Sequence, residues 1–199
     1  MTELVPTAEI LHMQQQTIQD WHSDETSEYP CDGLTAVACR QHRFNFDLWH
    51  EEDKARDKNA DNSVIADVKR RIDTLNQQRN DWIEKIDDRL IEIFSAADIR
   101  PEKDAPLNTE TPGSVFDRLS ILHLRIFHME EQAERKDANQ THRETVHARL
   151  KILRTQLADL SSALRTLLSE IASGKRRIKV YRQFKMYNDP AMNPYLSEA

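Results

Sequence analysis

Residues 139–173 read NQTHRETVHARLKILRTQLADLSSALRTLLSEIAS. Within this run Val146, Leu150, Leu153, Leu157, Leu160, Leu164, Leu167 and Ile171 follow one another by alternating steps of four and three. That spacing keeps every apolar side chain on one line of an α-helix, a coiled-coil-like seam that must be covered by something. Gly174 follows at once and suits the left-handed cap that closes such a helix.

The same 3.6-residue rhythm continues upstream. Thr111-Pro112 gives a helix start with a hydroxyl at the cap and a proline where its missing N–H costs nothing, and that helix runs to about Arg135. Before it, Ile99 to Glu110 forms a loop with Pro101 and Pro106. A third helix, about Ser63 to Ala97, carries Ile65, Val68, Ile72, Leu75, Trp82, Ile83, Ile86, Leu90 and Ile93 on one stripe and should be about 50 Å long at 1.5 Å per residue. The second, about Leu34 to Lys58, places Leu34, Val37, Ala38, Phe44, Leu48 and Ala55 together, and residues 59–63 break it. The first, residues 7–23, is built around Ile10, Leu11, Ile18 and Trp21 and ends in an acidic turn before Gly33. Downstream of Gly174, six of the eleven residues from Lys175 to Lys185 are basic, and Pro190 and Pro194 forbid a long final helix.

The expected fold is therefore all-α, a bundle of about five helices, three of them long, with a non-helical basic tail. One domain over 1–199 is expected: an N-terminal helix and acidic turn (1–33), the bundle core (34–174) and the basic aromatic tail (175–199). Three glycines in 199 residues leave little material for the tight turns of a sheet protein. The N-terminus lacks the basic and apolar regions of a signal peptide and no apolar run approaches the roughly 20 residues that span a bilayer, so the expectation is a cytoplasmic protein without a membrane role. Cys31 and Cys39 support neither a disulfide framework nor a zinc site. A net charge of -6 argues against nucleic acid as a partner.

Against this regular background, some polar residues fall where apolar ones are due. The third helix interrupts its stripe with Asn76 and Arg79, between Leu75 and Trp82. The second sets Gln41, Asn45, Glu52 and Arg56 among its apolar residues, with Trp49 at the edge, while His50 and Glu51 point away. The fourth gathers Asp117, Ile121, Leu124 and His128 in a narrow arc, flanked by Arg118 and Arg125. An unpaired buried guanidinium is prohibitive, so Arg79 requires a carboxylate or an anionic ligand. Asn45, Glu52, Arg56, Asn76, Arg79, Asp117 and His128 are the expected members of one polar pocket or ion-pair network at mid-bundle; such networks also serve only to fix register. In the tail, Arg182, Lys185 and Tyr187 join a mixture of cations and rings suited to phosphates and planar groups; its alternative role is to dock on the acidic bundle.

Several motifs are weaker. His50-Glu51-Glu52-Asp53 concentrates metal ligands but reads first as a solvated acidic face. Glu144-Thr145-Val146-His147 has the spacing of di-iron bundles without the second copy those need. Ser120 near His123 and His128 lacks a strained elbow or oxyanion site. Neither GxxxxGK[ST] nor GxGxxG occurs, which excludes nucleotide binding of those kinds.

Three blocks are more specific: residues 45–56 (NFDLWHEEDKAR), residues 110–129 from Glu110-Thr111-Pro112-Gly113 through Asp117-Arg118-Leu119-Ser120 to His128-Met129, and residues 181–190 (YRQFKMYNDP). With residues 72–81 (IDTLNQQRND) they resemble a bacterial family known only as a domain of unknown function, over about Leu34 to Leu196. The resemblance implies a helical cytosolic protein working near the glycosyltransferases of cell-surface polysaccharide assembly, and it assigns no catalytic residue.

The leading expectation is an accessory binding protein whose inward Arg56, Arg79, Glu52, Asp117 and His128 hold a phosphorylated small molecule or sugar nucleotide, with the tail closing over it. The alternative is a metal-dependent hydrolase or transferase acting on a phosphoanhydride or glycosyl phosphate, with Glu52, Asp53 and Asp117 holding Mg²⁺ or acting as base and His128 as acid. A third is a structural bundle that offers the seam of the fifth helix to a protein partner or to a second copy. No motif implies a resident cofactor.

Overall fold

The computed structural model describes residues 4–23, 32–184, 186 and 189–196. Five helices follow one another in it: α1 (Thr7–His22), α2 (Gly33–Lys54), α3 (Asn62–Ala96), α4 (Pro112–Glu134) and α5 (Gln140–Ala172). Among the described residues there is no strand, only an isolated bridge between Leu107 and Arg177. The all-α bundle expected from the periodicity is what forms.

Local chemistry sets the ends. Thr111 Oγ1 accepts the Ser114 N–H at 3.3 Å and Pro112 opens α4, while Asn139 Oδ1 accepts the His142 N–H at 2.8 Å to start α5. The second helix stops at Lys54, four residues sooner than expected. The Arg56 and Asp57 N–H groups donate to carbonyls three residues back, tightening the last turn, and Asp57 Oδ1 then accepts the Asn59 N–H.

The chain folds as two antiparallel hairpins, α2 with α3 and α4 with α5, joined by α3 against α4 and by α1 against α2 and α4. They share one main core. It takes Ile10 and Met13 from α1, Leu34 and Ala38 from α2, Ile86, Leu90 and Phe94 from α3, Val115, Phe116 and Leu119 from α4, and Leu164, Leu168 and Ile171 from α5. Each wholly buried member, such as Ile86 or Leu90, contributes roughly 1.5–3 kcal/mol by leaving water. Because the core draws on the C-terminal parts of α3 and α5 and the N-terminal parts of α2 and α4, the opposite ends extend away from it. There a second cluster of Ile18, Phe46 and Leu124, with Trp21, Trp49 and Phe127 against it, joins α1, α2 and α4. The candidate site lies beside this second cluster.

The α5 seam is largely spent within the chain. Val146, Leu150, Leu164 and Ile171 are buried, and Leu153, Leu157, Leu160 and Leu167 are half-buried, with α4 as the principal neighbour. Two contacts at the α3–α4 junction fix how closely the helices approach. Gly113 lies against the backbone of α3, its N–H donating to Asp87 Oδ1 at 2.7 Å. Asp87 is almost wholly buried, and burial lifts its carboxyl to about 6 despite the donors from Thr111 and Gly113.

The tail leaves α5 through Gly174, whose φ of +74° is the left-handed conformation expected of a cap. It then runs beside the α3–α4 loop: the Glu102 N–H donates to the Gly174 carbonyl, the Arg177 N–H to Pro106 O and the Asn108 N–H to Arg177 O. No helix of the described residues is long and apolar enough to cross a membrane.

Candidate functional site

Residues 41, 45, 48 and 52 recur on one face of α2 because each is one turn from the next. Asn45 and Gln41 meet Asp117 of α4: Asn45 Nδ2 donates to Asp117 Oδ1 at 2.9 Å and Gln41 Nε2 donates to the same oxygen at 2.6 Å. Arg79 of α3 approaches that oxygen as well, with Nε at 3.8 Å. Three helices thus converge on one carboxylate, as the misplaced polar residues of the sequence required. Burial raises the Asp117 pKa; the Arg79 charge, Asn45 and Gln41 pull it back toward the ionised form.

Behind this carboxylate the network is closed. Asn45 Nδ2 also donates to Ser120 Oγ at 2.8 Å, and Ser120 lies 2.6 Å from His42 Nδ1. Ser120 Oγ thus accepts from Asn45 and shares a further hydrogen bond with His42 Nδ1. Gln14, Gln41, His42 and Ser120 are all fully buried. Burial, then the nearby His123, holds His42 down to about 3, and burial alone holds His123 at about 4. A serine hydrogen-bonded to a histidine would suggest a nucleophile, but no substrate reaches a pair with no exposed surface. Ser120 and His42 fix the register of α2 against α4.

In front of the carboxylate the arrangement opens. A cleft of about 280 Å³ is lined by Asn45, Glu52, Asp53, Arg56, Arg79 and Arg125, with Trp49 and aliphatic groups of α4 completing its walls. Three guanidiniums enter it, with Glu52 and Asp53 on its walls and Asp117 at its floor. Arg56 Nη2 is paired with Glu52 Oε2 at 3.0 Å. Arg125 has no ion pair among the described residues. Arg79 Nε is buried and has no hydrogen-bond partner; Asp117 Oδ1, at 3.8 Å, is beyond hydrogen-bond reach and already holds two amides. A wider cleft of about 630 Å³ adjoins this one, sharing Trp49, Asp53 and Arg125 and adding His128, Glu131 and Arg149.

Of the expected site residues, Asn45, Glu52, Arg56 and Arg79 line the cleft, and Asp117 anchors its floor. Asn76 is half-buried on α3 and does not line it. His128 shares a helix face with Asp117 but stands eleven residues away, about 16 Å along the axis, so the common face does not become a common site. It joins His22 and His50 instead. Arg182 goes elsewhere: its guanidinium binds Glu84 at 3.0 Å and Asp88 at 2.8 Å. Those acids sit about 140° and 180° around α3 from Arg79, which puts Arg182 on the far side of that helix. Lys185 and Tyr187 lie outside the described residues.

Glu52, Asp53 and Asp117 do not form a ligand set for Mg²⁺. Two amides hold one Asp117 oxygen, Arg56 pairs with Glu52, and the only three metal-ligating side chains that come together among the described residues are histidines. His50, Glu51, Glu52 and Asp53, 100° apart in succession, separate in function. His50 turns to His22 and His128; Glu51, expected to point away, is buried between Lys54 and Arg71; Glu52 and Asp53 face the cleft.

The profile of a family described as "protein of unknown function (DUF4254)" matches residues 35–180, from the first turn of α2 to the tail. No curated protein and no solved structure matches the chain.

Proposed function

The chain belongs to the family of proteins of unknown function DUF4254, a membership that assigns no chemistry, and from the cleft itself we propose that it is a binding protein for a phosphorylated small molecule of the sugar-nucleotide class. The observation that carries this reading is Arg79, a guanidinium whose buried Nε is unsatisfied at the floor of a cleft that two further arginines enter. A phosphate in the cleft meets the part-exposed guanidinium of Arg79 beside those of Arg56 and Arg125, and the planar fork of a guanidinium matches phosphate better than a lysine would. Asn45, Glu52 and Asp53 offer a carbonyl and carboxylates to sugar hydroxyls, and the Trp49 ring offers a face for a base or a sugar. The setting implied by the family resemblance, cell-surface polysaccharide assembly in a bacterium, uses ligands of this class and forms part of the proposal.

A thermal-shift panel of nucleoside monophosphates, nucleoside diphosphates, sugar nucleotides and phosphosugars tests it. At a hundredfold excess over Kd a bound ligand adds about 2.7 kcal/mol, which for a chain of this size raises Tm by roughly 5–10 °C. The shift should vanish in Arg79→Ala, measured against that variant's own unliganded Tm. A panel that moves Tm nowhere removes the reading.

A further inference from the structure

The ends of α1, α2 and α4 bring three imidazoles together. One nitrogen from each of His22, His50 and His128 lies within 4.8 Å of the other two. We propose that these residues form a binding site for one first-row divalent transition-metal ion, of which Zn²⁺ is the best fit.

Two of the three rings already have one nitrogen committed. His22 Nδ1 is 2.7 Å from the carbonyl of Ile18, one turn back on α1, so it holds the ring proton and leaves Nε2 as a lone pair. His128 Nδ1 is 2.7 Å from Glu131 Oε2, which fixes the same tautomer, and His128 Nε2 is buried without a hydrogen-bond partner. Metal-binding histidines have this pattern: the distal nitrogen coordinates while the proximal N–H is held by a backbone carbonyl or a carboxylate. Two of the three rings therefore keep a nitrogen lone pair for a cation.

Ring orientation is fixed from behind. His22 stacks on Phe127 with centroids 4.5 Å apart, His128 stacks on Trp49 at 4.7 Å and 9°, and His50 meets the edge of Phe46 at 4.5 Å. Nitrogens 4.8 Å apart in a triangle stand about 2.8 Å from its centre, so each ring tip moves inward by at most about 0.7 Å to reach a Zn–N distance of 2.0–2.1 Å. Three neutral imidazoles suit Zn²⁺ and its neighbours rather than Mg²⁺ or Ca²⁺, which favour oxygen. With three protein ligands, a fourth position is left to water or to a ligand, and His128 and Glu131 also border the larger cleft. This site stands independently of the phosphate reading, since it shares neither Arg79 nor Asp117.

The test uses the full chain, free of any histidine tag and stripped with chelator. Titration with Zn²⁺ should give one ion per chain with submicromolar Kd, and Co²⁺ should give the intense visible bands of a four-coordinate centre. His50→Gln and His128→Gln should each weaken binding at least about 100-fold. Glu131→Gln, which leaves all three ligands in place, should weaken it about 10–100-fold. Circular dichroism checks that each variant keeps its helices; if the histidine variants unfold, the Co²⁺ spectrum of the native chain and the Glu131→Gln affinity decide. Zn²⁺ affinity no better than that of exposed histidines, a six-coordinate Co²⁺ spectrum, or binding unchanged in a folded His50→Gln or His128→Gln variant overturns the proposal.

Discussion

Gly113→Ala is expected to destabilise the protein by about 3 kcal/mol, the upper part of the range for overpacking. Helix propensity alone predicts the opposite sign, since alanine is favoured over glycine by about 1 kcal/mol inside a helix. The contact decides. A Cβ at Gly113 would stand 2.6 Å from the carbonyl oxygen of Ile83 and 2.8 Å from Asp87 Oδ1. The first is backbone in the middle of α3 and cannot step aside. The second is the carboxylate that accepts the Gly113 N–H, so the added methyl displaces the acceptor it depends on. To relieve both, the start of α4 must lift from α3, which loosens Phe116 and Leu119 in the main core. Urea unfolding of the two proteins at pH 7 measures the difference. A variant as stable as the parent, or more so, would mean that α3 and α4 do not approach as closely as described.

Mild acid should destabilise the protein, chiefly through two buried histidines. In the unfolded chain an imidazole binds a proton near pH 6.5, whereas His42 does so only at about 3 and His123 at about 4 when folded. Between those values the unfolded state holds more protons, so stability present at pH 7 is lost as the pH falls. From pH 7 to 4.5 each imidazole removes roughly 2–3 kcal/mol. Asp87 acts in the other sense. Its folded pKa of about 6 lies above the unfolded value, so its protonation on the same descent returns about 2 kcal/mol. The net expectation is a loss of about 3 kcal/mol, read as a fall in the urea midpoint between the two pH values. A midpoint that stays level or rises would show that His42 and His123 are not held neutral by burial.

The fold was legible because helical periodicity is a one-dimensional signal. Every helix expected from spacing, caps and prolines is present, and only the end of α2 moved, where Asp57 closes the chain a turn early. The cleft was legible for a related reason. A guanidinium at Arg79 and amides at Gln41 and Asn45 on apolar faces demand partners, and Asp117 was the acid on a matching face. Asn76 fell out because it sits about 60° around the helix from Arg79, enough to turn it off the cleft. Arg182 could not be placed from sequence, since a surface cation selects among many acids by small differences in energy. The histidine cluster escaped for want of local spacing, with one member on each of three helices. A faint signal was nonetheless present: Trp21-His22, Trp49-His50 and Phe127-His128 each pair an aromatic ring with the imidazole that follows it. Gln14 and His42 gave no such sign, because a lone amide or imidazole on an apolar face does not announce what it bonds.

The position of Trp49 has an optical consequence. Its indole lies flat on the His128 ring and also forms a wall of both clefts. Capture of an ion by that imidazole and arrival of an anion beside Arg79 each alter the field around this one indole. The molecule thus carries its own fluorescent gauge for both sites, and a Trp49→Phe variant supplies the blank against which the emission of Trp21 and Trp82 is subtracted.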